Sequence, residues 1–191
     1  QPGVLMSLKP TEDTKYDLNK IIDIKDVLTK RTSHTDLHFI SAYIKMRVFN
    51  QYEYLDILPY VKALRPYRKN SIALSIGGDN YCYGDISVYA CLNKMYNKRH
   101  IKTAFVGCSV EPDTINKPEM IADLRRYSLI IARESITYEA MVKAGLSNVK
   151  LLPDPAFQLD RVDLDLPDGF IEGNTVGINL SPMVMNCEIG D

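Results

Sequence analysis

The groups in this chain that could bind or transform a small ligand gather in a few short stretches. The first is "SIGGDNY", Ser75 to Tyr81, where Gly77 and Gly78 adjoin Asp79, Asn80 and Tyr81. Glycines let a ligand or a second backbone come close, while the acid, the amide and the phenol offer acceptors, donors and a flat ring. The second is "AFVGCSVEP", with Gly107 and the hydroxyl of Ser109. The third is "IIARESITYEAMVKAG", in which Arg133 precedes Glu134 and Ser135. A guanidinium is a permanent fork of donors, and beside the amides of a helix start it suits a phosphate or a carboxylate. The fourth is "LLPDPAF", where Asp154 stands between two prolines that stiffen its backbone.

Each stretch also has a plain structural account. Two glycines after a strand are a common turn, and the three spaced glycines of a dinucleotide fingerprint are absent. Arg133 could pair with Glu134, Glu139 or Asp154 and tie a sheet edge together, and Asp154 could cap a turn. His34 and His38 have metal-ligand spacing, but His34 is followed by no glutamate and no third ligand is evident, so no metal is expected. Cys82, Cys91, Cys108 and Cys187 lack the close spacing of a zinc site or redox dithiol and read as reduced thiols. Cys82 has no histidine nearby in sequence to activate it as a nucleophile. Tyr52, Tyr54, Tyr60 and Tyr67 suit packing on helices, or the lining of an acceptor groove. The catalytic acid is not fixed by any of these patterns.

The elements that must position these groups follow from periodicity. From Ser71 onward, short apolar runs alternate with helical stretches: "SIALSI", "IKTAFVG", "SLIIAR", "NVKLLP" and "TVGINL". This βαβ rhythm predicts a parallel sheet with right-handed crossovers, an α/β fold. Val88, Cys91, Leu92, Met95 and Tyr96 mark a helix after the glycine turn, and Gly145 is placed to end the helix that begins at Ser135. In such a sheet the strand-to-helix turns share the carboxyl edge, where ligands bind. Residues 1–70 read as a helical block packing on the sheet domain. Leu18, Ile21, Ile22 and Leu28 form one stripe, Leu37, Ile40, Ile44 and Val48 a second, and Leu55, Leu58, Val61 and Leu64 a third ending near Pro66. Ser33 with Asp36 resembles a capping box. The expected division is therefore a helical block over 1–70, a Rossmann-like domain over 71–160, a polar linker over 161–174, and the start of a second α/β domain over 175–191.

Composition narrows the classes. With 191 residues, 46% of them hydrophobic, and 23 Lys+Arg against 24 Asp+Glu, the chain belongs with ordinary globular proteins. A net charge of −1 without a basic tract argues against nucleic acid as a partner. No apolar run approaches the ~20 residues of a membrane span and no signal-peptide order opens the chain, so a cytoplasmic protein is expected. The start lacks a methionine and the end falls within a strand-like run, which suggests a fragment.

Taken in order, "SIGGDNY", "FVGCSVEP", "IIARESITYEAMVKAGLSNVKLLPDPAFQL" and "TVGINLSP" resemble the polysaccharide pyruvyl transferase family. The third is the most specific: an arginine-acid pair, a hydroxyl residue, a helix ending in glycine, a strand, and an Asp-Pro-Ala-Phe close. The resemblance covers about Ser71 to Pro182. It implies the amino-terminal half of a glycosyltransferase-B-like pair of Rossmann-like domains facing one another across a cleft. It also implies transfer of the pyruvyl unit of phosphoenolpyruvate to sugar hydroxyls, giving a ketal, with a sugar or lipid-linked oligosaccharide as acceptor and no cofactor. A lipid-linked acceptor is compatible with peripheral association with a membrane. Arg133 is then the expected anion contact, aided by Ser135 and the helix amides. Gly77, Gly78, Asp79, Asn80 and Tyr81 line the cleft with Ser109 nearby, Glu134 and Asp154 complete this side, and Asn179 and Ser181 belong to the second domain. The chain departs from the family by lacking its amino-terminal glycine-rich start and its carboxyl-terminal half. A nucleotide-sugar glycosyltransferase and a noncatalytic carbohydrate-binding protein of the same fold are the alternatives.

Overall fold

The structure is a computed structural model that describes residues 3–27, 34–76, 80–82, 85–163 and 165–178. It divides into two units, Gln1–Phe157 and Gln158–Asp191.

The first unit opens with a strand rather than a helix. β1 (Val4–Ser7) leads into the short helix α1 (Pro10–Lys15), started by its proline, and returns as β2 (Asp23–Asp26), parallel to β1 with Val4 opposite Asp23. The helix expected across Leu18 to Leu28 is thus replaced by a single 3-10 turn, Leu18–Lys20, and a strand. Asp17, with φ +59°, cannot continue a right-handed helix, and Ile22-Asp23-Ile24-Lys25 alternates with the period of a strand.

Helix α2 (Leu37–Phe49) is capped by Asp36, whose carboxylate accepts the His38 amide at 2.9 Å; Ser33 lies outside the described residues. Its predicted apolar stripe faces outward, with Leu37 81% and Val48 64% exposed, and Ala42 is its one buried residue. The third helix is two, α3 (Glu53–Asp56) and α4 (Leu58–Ala63), because Pro59 at the start of α4 supplies no amide to the preceding turn.

The larger sheet is β3 (Ile72–Ile76), β4 (Lys102–Cys108), β5 (Leu129–Ala132) and β6 (Val149–Leu151), hydrogen-bonded in that order and parallel throughout. The crossovers are α5 (Ser87–Lys98), then α6 (Pro112–Ile115) and α7 (Pro118–Leu124), then α8 (Ser135–Lys143). Phe105, Ile130 and Ala132 from the strands meet Met120, Leu124 and Met141 from the helices in one buried cluster. Gly145 ends α8 at φ +78°, its amide reaching the Val142 carbonyl while Leu146 reaches Met141, the paired bonds of a Schellman cap. The fold is α/β, Rossmann-like, with parallel sheets flanked by helices.

In the second unit the described residues form turns, such as the Thr175 hydroxyl bridging the amide and carbonyl of Ile171. Thr175 to Ile178 carry no strand, and the rest of the expected "TVGINL" strand lies outside the described residues. Among the described residues no helix is long and apolar enough to cross a membrane.

Candidate functional site

Because β3 to β6 are parallel, their carboxyl ends share one edge, and the loops beyond them deliver the candidate side chains to it. Ser109 follows β4, Arg133 follows β5, and Asp154 lies three residues past β6. A register shift between Val106 and Cys108 bends β4 at Gly107, whose φ is +71°. A Cβ at Gly107 would stand 3.2 Å from Cδ of Pro155, so glycine there lets the β6 loop approach the end of β4.

Arg133 ties these three strand ends together. Its Nε donates to Ser109 Oγ at 2.8 Å, and its Nη1 donates to Asp154 Oδ2 at 3.1 Å. Asp154 accepts the Ala156 amide with its other oxygen at 2.9 Å. That amide first, and the Arg133 guanidinium second, hold the Asp154 carboxyl below its ordinary value. The bridging and capping accounts of these residues are therefore both realised. The Arg133 side chain is 32% exposed and keeps contact with solvent at the sheet edge.

Beside this bridge is an open cavity of about 410 Å³, lined by Cys82, Ser109, Glu111, Glu134, Ser135 and Thr137 among others. Arg133 and Asp154 flank it rather than line it. Its wall is pinned by the Thr137 hydroxyl, which accepts the Val110 amide at 2.9 Å and donates to the Val110 carbonyl at 3.2 Å. The Cys82 thiol donates to the Ser109 carbonyl at 2.6 Å, bringing the segment beyond the glycines onto the β4 loop. Glu134 caps α8 itself, both oxygens accepting the Thr137 amide at 3.0 and 3.1 Å, so that amide serves the fold rather than a ligand. Below, burial pushes the Cys108 thiol up to about 12, which keeps it an inert packing group.

Tyr81 is a correction to the sequence reading. It is fully buried, with its hydroxyl donating to Asp123 Oδ2 at 2.7 Å and 2.8 Å from the Tyr127 hydroxyl. A ring in the core does not line a cleft, and burial drives its phenol far up, so it remains protonated. Asn80 sits nearer the edge, its amide donating to Ser75 Oγ and to the Ile76 carbonyl, both at 3.3 Å, and so braces the end of β3. Gly77, Gly78, Asp79, Asn179 and Ser181 lie outside the described residues.

Sequence reasoning missed the polar group that anchors Tyr81. Asp123 is wholly buried and also accepts from Asn93 at 3.2 Å and from Arg126 at 2.9 Å, while Asn93 accepts the Thr103 hydroxyl at 3.0 Å. An acid flanked by Met120 and Leu124, one turn apart on an apolar helix face, was the available signal. His34 meets Phe39 edge-on at 4.7 Å, and the described residues hold no cluster of three or more His, Cys, Asp or Glu suited to a metal ion.

Comparison with known proteins gives one match. A family model described as polysaccharide pyruvyl transferase covers residues 8–183, and no curated protein and no solved structure matches the chain.

Proposed function

We propose a function on the premise that the chain belongs to the polysaccharide pyruvyl transferase family, whose model spans residues 8–183. The protein moves the pyruvyl unit of phosphoenolpyruvate onto two hydroxyls of a sugar in a polysaccharide or its lipid-linked precursor. A proton adds to the enol methylene, the resulting oxocarbenium centre takes one hydroxyl, phosphate leaves, and the second hydroxyl closes the ketal. Such a site must hold a carboxylate and a phosphate, supply an acid, and keep water from the cation.

The observation that carries this reading is the Arg133 bridge across three successive strand ends. Arg133 is oriented by Ser109 and Asp154 and is part-exposed, which suits a fork offered to an anionic donor. Glu111 and Glu134 line the neighbouring cavity, and carboxylates accept from sugar hydroxyls better than they receive a phosphate. In this reading the cavity takes the acceptor, with Ser109 and Ser135 beside it, and Arg133 contacts the donor. The same reading includes a second Rossmann-like domain after the linker, in a glycosyltransferase-B-like pair. A cytoplasmic location belongs to the same proposal.

Calorimetric titration of the full-length protein with phosphoenolpyruvate, and with a nucleotide sugar for comparison, tests this. Binding of phosphoenolpyruvate alone is expected. Arg133→Ala should weaken it by at least the ~1.5 kcal/mol of a charged hydrogen bond, roughly tenfold or more. Binding of the nucleotide sugar alone would replace the proposal with glycosyl transfer. An unchanged affinity in the variant would remove Arg133 from the donor site.

A further inference from the structure

The two edges of the larger sheet differ in charge. Glu111, Glu134 and Asp154 lie at the carboxyl edge. At the amino edge the register sets Ile72, the start of β3, beside Lys102, the start of β4, so the segments leading into these strands lie together. Those segments, "RPYRKNS" and "KRHIK", bring Arg65, Arg68, Lys69, Lys98, Arg99 and Lys102. The sequence has no Asp or Glu between Asp56 and Asp79, nor between Asp85 and Glu111. Arg99 joins the segments: its Nη2 donates to the carbonyls of Leu64 at 2.9 Å and Arg65 at 3.1 Å, while its buried Nε has no hydrogen-bond partner. Burial first, and the charges of Arg68 and Arg65 next, hold its guanidinium below the ordinary value. The other five cations are exposed, and among the described residues no carboxylate pairs with any of the six.

Helix polarity accounts for part of this. α4 and α5 end at Ala63 and Lys98, and cations near a helix carboxyl end complement its dipole. That effect fades beyond the last turn, so it does not account for Arg68, Lys69 or Lys102. Like charges crowded without acids repel, and an anionic partner removes the repulsion. The neighbouring helix points to the kind of partner. Lys62, three residues before Arg65, pairs with Asp36 at 3.5 Å, which brings the first turn of α2 beside the basic segments. There Leu37 is 81% and Ile40 42% exposed. A nucleic-acid backbone offers aliphatic side chains nothing to contact, whereas a bilayer takes cations at its headgroups and aliphatic groups just beneath them.

We propose that the amino edge of the sheet, together with the first turn of α2, docks the protein on the surface of an anionic lipid bilayer. Arg65, Arg68, Lys69 and Lys102 meet the headgroups, and Leu37 and Ile40 enter the boundary of the acyl chains. Nothing in this depends on pyruvyl transfer. The seven residues of β4 separate the two edges by roughly 20 Å, so docking leaves the carboxyl edge and Arg133 clear of the lipid.

Cosedimentation of the full-length protein with vesicles of phosphatidylcholine, with and without phosphatidylglycerol, tests this. Binding to the mixed vesicles alone is expected, weakening as salt rises. Each cation at an anionic surface is worth about fivefold in affinity, so Arg65→Gln/Arg68→Gln/Lys69→Gln should lose on the order of 100-fold. Lys9→Gln/Lys20→Gln/Lys117→Gln removes the same charge outside both segments and should lose far less. All the substituted residues are exposed, and unchanged urea midpoints will show the fold intact. No binding to the mixed vesicles, or equal binding to both kinds, overturns the proposal. Equal losses in the two triple variants overturn it too, because net charge and not this edge would then drive binding. Leu37→Asn/Ile40→Asn should also weaken vesicle binding. If it binds unchanged, the cations alone meet the partner, and a soluble polyanion replaces the bilayer.

Discussion

The sheet from Lys102 to Leu151 and the helical segment from Leu37 to Ala63 use apolar residues in opposite ways. Phe105 and Ile130 of the strands and Met141 of the crossover helix α8 have no exposed surface, whereas along α2 Leu37, Ile44 and Val48 all face outward. The reason is layering. A parallel sheet gains a helix with each crossover, and Phe105 and Ile130 pack beneath Met120, Leu124 and Met141 of those helices. Helix α2 packs one narrow side, around Ala42, on its neighbours, and among the described residues no second layer lies beyond it. An apolar stripe thus specifies an element, while the burial of that stripe depends on what the chain places next to it.

The largest expected effect separates these two regions directly. Phe105→Ala should cost about 3–5 kcal/mol of stability, the range for emptying a buried aromatic site, whereas Ile44→Ala should stay within about 0.5 kcal/mol. Urea unfolding followed through both variants reads the difference as a shift in midpoint. If Ile44→Ala cost as much as Phe105→Ala, the outer face of α2 would be covered in the protein and the contrast would collapse.

A smaller effect sharpens the account of the sheet edge. Gly145 and Gly107 both adopt positive φ, but a Cβ at Gly145 would meet only Arg125 Nη2 at 3.8 Å, while at Gly107 it would meet the Pro155 ring at 3.2 Å. Gly145→Ala should therefore cost only the backbone strain, about 1–2 kcal/mol. Gly107→Ala should cost more, and should also displace the loop that holds Asp154. Equal losses of stability in the two variants would show that the β4 and β6 loops do not depend on their close approach.

What could be read from the sequence follows the same division. The strands β3 to β6 stood out because each is a short apolar run closed by glycine, arginine or proline and spaced for a crossover helix. Arg133, Ser109 and Asp154 could be placed at one edge because parallel strands put their ends together. β1 and β2 were obscured because "VLMS" is only four residues long and Ile21-Ile22 mimics a helical stripe until Asp17 breaks it. Tyr81 was misplaced for a different reason. Its neighbours are turn residues, and the partner that draws it inward, Asp123, lies 42 residues away. Contacts at that separation leave no local pattern.

The smallest expected effect compares one carboxylate from each region. Asp36 and Asp154 are both held below the ordinary carboxylate value, Asp36 chiefly by the His38 amide with Lys62 assisting, Asp154 chiefly by the Ala156 amide with Arg133 assisting. A carboxyl whose folded value is depressed contributes stability that is present above its unfolded value, about 3.9, and is lost as pH falls through the folded one. Acid titration from about pH 5 downward should therefore weaken both sites. Asp36→Asn should make the stability of the α2 region less sensitive to acid, and Asp154→Asn should do the same for the β6 loop. The two responses should differ in what accompanies them: protonating Asp36 loosens a helix start, whereas protonating Asp154 also removes a group that orients Arg133. A pH series of donor binding by the full-length protein distinguishes them, because only Asp154→Asn should alter the acid limb of affinity. If Asp36→Asn altered that limb equally, the anion contact would depend on global stability, and the bridge at the sheet edge would have no separate role in setting it.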